Sequence, residues 1–252
     1  MPELPPPTLM TTLRSALYNI AFYLNLVLWC AVAFPTLVLP RRQFMWVAHM
    51  WGVSSLWLLK IIARTDVRWN GLEHLGEGGC IVASKHQSAW ETFALFAVLK
   101  DPAFILKREL TFIPFFGWYL LKGDMIPVRR GQTDREGLAE LGRKAKEAVA
   151  AGRQLIIFPE GTRRPAGAPP DYKSGVAHIY AATDARCVPI ALNSGLYWPR
   201  RALLKRPGTV EVEILEPISA GMRPKAFLAL LRERIETVSA RLLEQGLREG
   251  AG

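Results

Sequence analysis

Ser84-Lys85-His86-Gln87-Ser88-Ala89-Trp90-Glu91 joins an apolar, strand-like run, Cys80 to Ala83, to a helix-like run, Thr92 to Leu99. A passage from strand to helix puts its connecting residues at the edge of a sheet, where ligands gather in α/β proteins. A histidine that acts as a base needs access to substrate and a partner that sets its tautomer. His86 and Glu91 are five positions apart, and on one continuous α-helix they would point about 140° away from each other. The two can meet only if His86 lies in the turn and Glu91 lies in the first turn of the helix. Ser88-Ala89-Trp90-Glu91 has the form of a capping box, with Ser88 as N-cap and Glu91 at the third helical position. Taken alone, the eight residues also fit a surface histidine beside an ordinary helix cap.

The surrounding chain supplies the context. From about Thr65, short apolar stretches alternate with helical patterns. The strands expected are Asp66–Trp69, Cys80–Ser84, Ala103–Leu106, Met125–Val128, Gln154–Phe158, Val188–Asn193 and Thr209–Leu215. Helices are expected at Trp90–Leu99, Arg135–Ala151, Gly175–Thr183 and Pro224–Gln245; in the second, Leu138, Leu141, Ala145 and Ala148 recur at helical spacing. This alternation predicts a single α/β domain, residues 63–252, with a mixed, largely buried sheet and helices on both faces.

Residues 1–62 differ in character. After a proline-rich start, Ser15 to Pro40 carries no charge and is long enough to enter or cross a bilayer. Arg41-Arg42 closes the run, and a second run without acidic or basic residues, Gln43 to Leu59, follows with Trp46, Trp51 and Trp57. Two full spans would carry the arginine pair to the far side, against the positive-inside tendency. A membrane-associated helical pair embedded in one leaflet, or one span with one interfacial helix, fits better. Ala31-Val32-Ala33 imitates a signal-peptidase site, but the long run and charge-poor start do not fit a signal peptide.

Composition narrows the partners. The 252 residues carry a net charge of +10, with a pI near 9.8, and half are hydrophobic. Such a surface suits an anionic partner. No familiar nucleic-acid motif or metal-ligand spacing occurs, so neither nucleic acid nor a metal is expected. Three scattered cysteines, Cys30, Cys80 and Cys187, suggest reduced thiols and a cytosolic catalytic part.

Cations follow several of the expected elements. Gln154–Phe158 runs directly into Pro159-Glu160-Gly161-Thr162-Arg163-Arg164, where a glycine turn exposes backbone N–H groups and arginine offers a planar clamp for phosphate. Met125–Val128 ends in Arg129-Arg130, Lys107 follows Ala103–Leu106, and Lys173 precedes the helix at Gly175. Singly, each fits a solvated end-of-strand residue; together they point to a shared anion site.

These stretches together resemble the membrane glycerolipid acyltransferase family, in particular its 1-acyl-glycerol-3-phosphate acyltransferases. His86-x4-Glu91 is similar to the family's histidine, four residues, aspartate. Gly123 to Arg130 is similar to its second motif, with Arg130 the better fit. Phe158-Pro159-Glu160-Gly161-Thr162-Arg163 matches its third motif throughout, and Val188-Pro189-Ile190-Ala191 its fourth. The resemblance implies a membrane enzyme at the cytoplasmic face of the inner membrane. It implies acyl transfer from acyl-CoA or acyl carrier protein to the sn-2 hydroxyl of 1-acyl-glycerol-3-phosphate, giving phosphatidic acid, with no cofactor besides the co-substrate. His86 is then the base and Glu91 its orienting carboxylate. The phosphate falls to Arg163, with Arg130, Lys107 and Lys173 nearby and Gly161 and Thr162 as backbone donors, while Glu160 positions Arg163 or the turn. Two positions depart from the family: Glu91 replaces aspartate, and Lys85 stands where asparagine is common. Alternatives are another acceptor such as lyso-ornithine lipid, an acyl-enzyme on Ser88, a thioesterase, and a non-enzymatic binder of anionic lipid.

Overall fold

The computed structural model of the protein describes residues 5–129 and 135–250. Two long helices come first, α1 (Leu9–Ala33) and α2 (Arg41–Leu58). Thr8 caps α1 by accepting the Thr11 N–H at 3.1 Å, and Pro35 ends it in a 3-10 turn. The α/β part then runs β1 (Thr65–Asn70), β2 (Cys80–Ser84), α3 (Trp90–Ala94), β3 (Pro102–Lys107), α4 (Phe116–Lys122), β4 (Ile126–Val128) and α5 (Arg135–Ala150). It continues with β5 (Gln154–Ile157), α6 (Gly175–Thr183), β6 (Cys187–Leu192), α7 (Ser194–Tyr197), β7 (Gly208–Ile214) and α8 (Pro224–Gly250).

The strands form one sheet in the order β1-β7-β6-β2-β5-β3-β4. All neighbours are parallel except β6 and β7, so the sheet is mixed as expected. Each expected strand is present with ends within one residue. The helical readings hold less well. Trp90–Leu99 is α-helical only to Ala94 and then tightens into a 3-10 turn, Leu95–Ala97, while α8 extends past Gln245 to Gly250. The short helices α4 and α7 were not anticipated.

Strand alternation sorts the core into two layers. Cys80 and Val82 of β2, with Ile156 of β5, face α1, α2 and α3; Ile81, Ala83, Leu155 and Ile157 face α5, α6 and α8. Both faces of the central strands are therefore dry, which is why they read as continuous apolar runs. Each fully buried aliphatic side chain there contributes about 1.5–3 kcal/mol.

The helical pair is joined to the α/β part along its length. Ser15 exchanges hydrogen bonds with the Lys205 backbone at 2.9 and 3.0 Å, and the Tyr119 hydroxyl donates to the Cys30 carbonyl at 2.6 Å. Arg41 at the start of α2 grips Asp101 with two bonds of 2.6 Å and approaches Asp124 at 3.3 Å. The buried Arg153 also meets Asp101, at 3.4 Å, and donates to the carbonyls of Pro102, Gly123 and Asp124. Asp101 thus ties α2 to the starts of β3 and β5.

Burial pushes the Asp101 carboxyl up, but Arg41 and Arg153 outweigh this, and it sits below its ordinary value. A carboxyl lowered on folding stabilises the fold above its unfolded value of about 3.9, and that contribution fades as pH falls through the lower folded value. Asp101→Asn is expected to cost about 1–3 kcal/mol at neutral pH. Unfolding curves taken from neutral to acid pH should show the variant losing less stability on acidification than the native chain.

Candidate active site

β2 lies between β5 and β6, and its C-terminal end delivers Lys85 and His86 to the edge of the sheet. The chain turns there and enters α3, so His86 and Glu91 meet as the spacing requires: His86 Nδ1 is 3.1 Å from Glu91 Oε2. The other three histidines each bond a backbone carbonyl instead: His49 to Phe96, His74 to Ile214 and His178 to Leu138. With Nδ1 held by the carboxylate, Nε2 is the nitrogen left for a substrate proton. The imidazole also stacks on Phe158, with ring centres 3.8 Å apart and planes inclined by 16°. The aromatic residue that opens Phe158–Arg163 therefore fixes the plane of the histidine.

Glu91 has no solvent exposure. Its carboxylate accepts the Gln87 N–H at 3.3 Å, the Ser88 N–H at 3.0 and 3.2 Å, and the Ser194 hydroxyl. Burial of a carboxylate is tolerable only with such donors. The capping box expected here is half made. Glu91 does reach back to the Ser88 N–H, but the helix begins at Trp90 with Ala89 as N-cap, and Ser88 Oγ takes the Trp90 N–H at 3.1 Å. Two adjacent N–H groups in the turn draw the carboxylate back, so the turn selects the position of Glu91.

Ser194 was missed in the sequence. It opens α7 just beyond β6, and the parallel pairing of Ser84 with Ile190 sets the two strand ends side by side. A polar residue just past a strand neighbouring β2 was the available signal. Gln87 joins the same contact, accepting the Gly195 N–H at 2.9 Å.

The loop after β5 closes the other side. Gly161 adopts φ +63°, a conformation that favours glycine, and its N–H bonds the Phe158 carbonyl at 2.9 Å. Arg164 N–H donates to the His86 carbonyl at 2.8 Å, locking this loop to the catalytic turn. Gly161, Thr162 and Arg163 line a cavity of about 610 Å³ together with His86, Lys107 and Lys173. Gly175 at the start of α6 lines it as well, and no side chain caps that end, so its positive pole adds to the attraction for an anion. Lys173 is engaged with Asp171 at 2.7 Å. Arg130 lies outside the described residues.

Glu160 is placed differently from the other expected binding residues. It is 1% exposed, is absent from the cavity wall, and pairs with Lys85 at 3.1 Å. Its carboxylate holds the loop from beneath. Lys85 also reaches Glu236 of α8 at 2.7 Å, and the Tyr172 hydroxyl donates to that carboxylate at 2.9 Å. Burial pushes the Glu160 carboxyl up, and the Lys85 charge only partly offsets this. The lysine that departs from the family pattern is therefore the cation joining the β2–α3 turn, the loop after β5 and the last helix. Among the described residues no group of three metal-ligating side chains occurs.

Comparison with known proteins follows the geometry. Residues 66–193 match the model of the family described as Acyltransferase. The chain belongs to this acyltransferase family. It is 34% identical to the 1-acyl-sn-glycerol-3-phosphate acyltransferase of Pseudomonas aeruginosa over 89% of its own length and 88% of the relative's. It is 30% identical to the chloroplastic enzyme of the same name from Brassica napus over 71% of its length, where it spans about half (51%) of that relative. The crystal structure of the 1-acyl-sn-glycerophosphate acyltransferase PlsC from Thermotoga maritima shares the fold, with a TM-score of 0.75, 22% identity, and coverage of 91% and 97% of the two chains. In this acyltransferase, Lys85→Met is expected to leave two carboxylates facing each other and to cost about 3 kcal/mol. Lys85→Met with Glu160→Gln should recover part of that loss in thermal unfolding, as coupled neighbours do.

Proposed function

We propose that the protein is a membrane-bound 1-acylglycerol-3-phosphate O-acyltransferase that makes phosphatidic acid from acyl-CoA or acyl carrier protein thioesters. The observation that carries this reading is one cavity lined by both His86, oriented by Glu91, and the Gly161–Arg163 loop. His86 Nε2 takes the proton from the acceptor's hydroxyl as its oxygen attacks the thioester carbonyl. The tetrahedral adduct expels the thiolate, and the imidazolium returns the proton to sulfur. A placed base of this kind contributes about 10²–10⁴ in rate. Glu91 keeps the tautomer and offsets the imidazolium charge. Arg163, with Lys107 and Lys173, takes the acceptor's phosphate, a contact that a phosphate-free lysolipid would not make. An acyl-enzyme on Ser88 is disfavoured, because Ser88 is fully buried and its hydroxyl oxygen already accepts the Trp90 N–H.

The apolar surface supports docking on a membrane. The outer face of α1 exposes Leu13, Leu17, Ile20, Leu24, Val27 and Leu28, and α2 adds Trp46 and Trp57. Both helices are long and apolar enough to cross a bilayer. However, α1 is bound to the α/β part near Ser15 and again at Cys30, about 22 Å further along at 1.5 Å per residue. A helix tied down at both places lies along the domain, which favours insertion of its outer face into one leaflet. Phe112, Phe115, Trp118 and Leu121, around α4, are also exposed and extend this surface next to Cys30. All three cysteines are free, in keeping with a cytoplasmic catalytic part.

Purified protein in lipid vesicles, given acyl-CoA or acyl carrier protein thioester and labelled 1-acylglycerol-3-phosphate, should form phosphatidic acid. His86→Ala is expected to abolish transfer. Arg163→Ala should raise the acceptor KM about tenfold or more while sparing the donor KM, because a charge-assisted phosphate contact is lost. Thiol release that does not depend on acceptor would instead mark a thioesterase.

A further inference from the structure

Two arginines that the reaction scheme does not use line the same cavity as His86: Arg200 and Arg201. They lie between α7 and β7, and among the described residues no hydrogen bond or ion pair engages either side chain. They come from a different strand neighbour than Arg163 does. β2, which ends at the catalytic turn, has β5 on one side and β6 on the other. The chain after β5 carries Arg163; the chain after β6 carries Ser194, which holds Glu91, and then Arg200 and Arg201. Cations from the segments that follow both neighbours of the His86 strand therefore line one cavity.

The arginine loop is held firmly. The Ala202 N–H bonds the Pro199 carbonyl at 3.1 Å, and the Arg206 N–H bonds the Tyr197 carbonyl at 2.8 Å. Lys205 is 2% exposed, with Nζ 4.2 Å from the Trp198 ring centre, and bonds Asn19 of α1 and the Leu203 carbonyl. Asn19 donates to the same carbonyl at 2.8 Å. A buried lysine is costly to desolvate, and this one braces the segment that presents the two arginines.

Two substrates must meet at His86, and each carries phosphate. The acceptor's phosphate is accounted for by Arg163. The thioester of the donor sits on a phosphopantetheine arm, whether the carrier is coenzyme A or a protein. We propose that Arg200 and Arg201 bind the phosphate of that arm, in the cavity they share with His86, leaving the acyl chain to the apolar wall formed by α1 and α2. The assignment rests on the acyltransferase reading above and adds its donor site. Arginine pairs suit a phosphate through planar, bidentate hydrogen bonds.

The test uses full-length protein in vesicles and Arg200→Gln/Arg201→Gln, with acyl-CoA, acyl carrier protein thioester, S-acyl-phosphopantetheine and S-acyl-pantetheine as donors. The variant should raise the KM of all three phosphate-bearing donors about tenfold or more, with the acceptor KM unchanged. The advantage of S-acyl-phosphopantetheine over S-acyl-pantetheine in kcat/KM should largely disappear. Equal loss with the phosphate-free donor would make the loop merely structural and overturn the assignment. So would a rise confined to acyl carrier protein, which would locate the contact on the carrier's own surface. A raised acceptor KM, or lost binding to anionic vesicles with donor KM intact, would also overturn it in favour of a lipid headgroup. If the native chain transfers no acyl group from any donor, the acyltransferase reading falls and the donor site with it. An active native chain whose donor KM survives the substitutions removes the arginines alone.

Discussion

The active site depends on one buried carboxylate. Glu91 draws together the N–H groups of Gln87 and Ser88, the hydroxyl of Ser194 and the imidazole of His86. His86, Gln87 and Ser88 are consecutive, but Ser194 is 103 residues from Glu91. The carboxylate cannot remain buried without them, and the Gln87–Gly195 bond adds a second tie between the turn and α7. The same group that holds the imidazole therefore also holds the turn between β2 and α3 against the start of α7. In the proposed mechanism, structural and catalytic roles coincide in this side chain.

Around that centre, the sheet sets out the remaining parts. Three neighbouring strands, β6, β2 and β5, send their following segments to one edge. Phe158 stacks on the imidazole, Arg164 binds the His86 carbonyl, and Lys85 passes beneath to Glu160 and Glu236. The phosphate loop is thus joined to the catalytic turn by an aromatic face, a backbone bond and an ion pair. The helical pair covers one face of this assembly and carries the apolar half of the cavity, so a cation-lined side meets an apolar wall there.

Much of this was legible in the residues because local pattern and fold agree. The central strands are apolar throughout because both faces are covered, and the segments after them carry unusual polar clusters. His86-x4-Glu91 read correctly as a pair across a turn. The capping box read only in part, since Glu91 answers to two adjacent N–H groups and the helix starts one residue later than that motif assumes. Contacts between distant segments left no local trace: Lys85 with Glu236 is 151 residues apart, and Ser194 with Glu91 is 103. The partner of Glu160 was hidden for the same reason. Glu160 sits within a motif whose other members face the cavity, but strand and loop direction turn it to the buried side, where Lys85 waits.

The central claim is that the Glu91 charge, and not only its shape, supports His86 in the transition state. Steady-state kinetics of Glu91→Gln tests it most directly, because the amide keeps the size and one oxygen acceptor for the turn. The account predicts a fall in kcat of about a hundredfold or more with both KM values nearly unchanged, as loss of a transition-state interaction requires. A kcat within about threefold of the native chain would contradict it, leaving Glu91 as a cap alone.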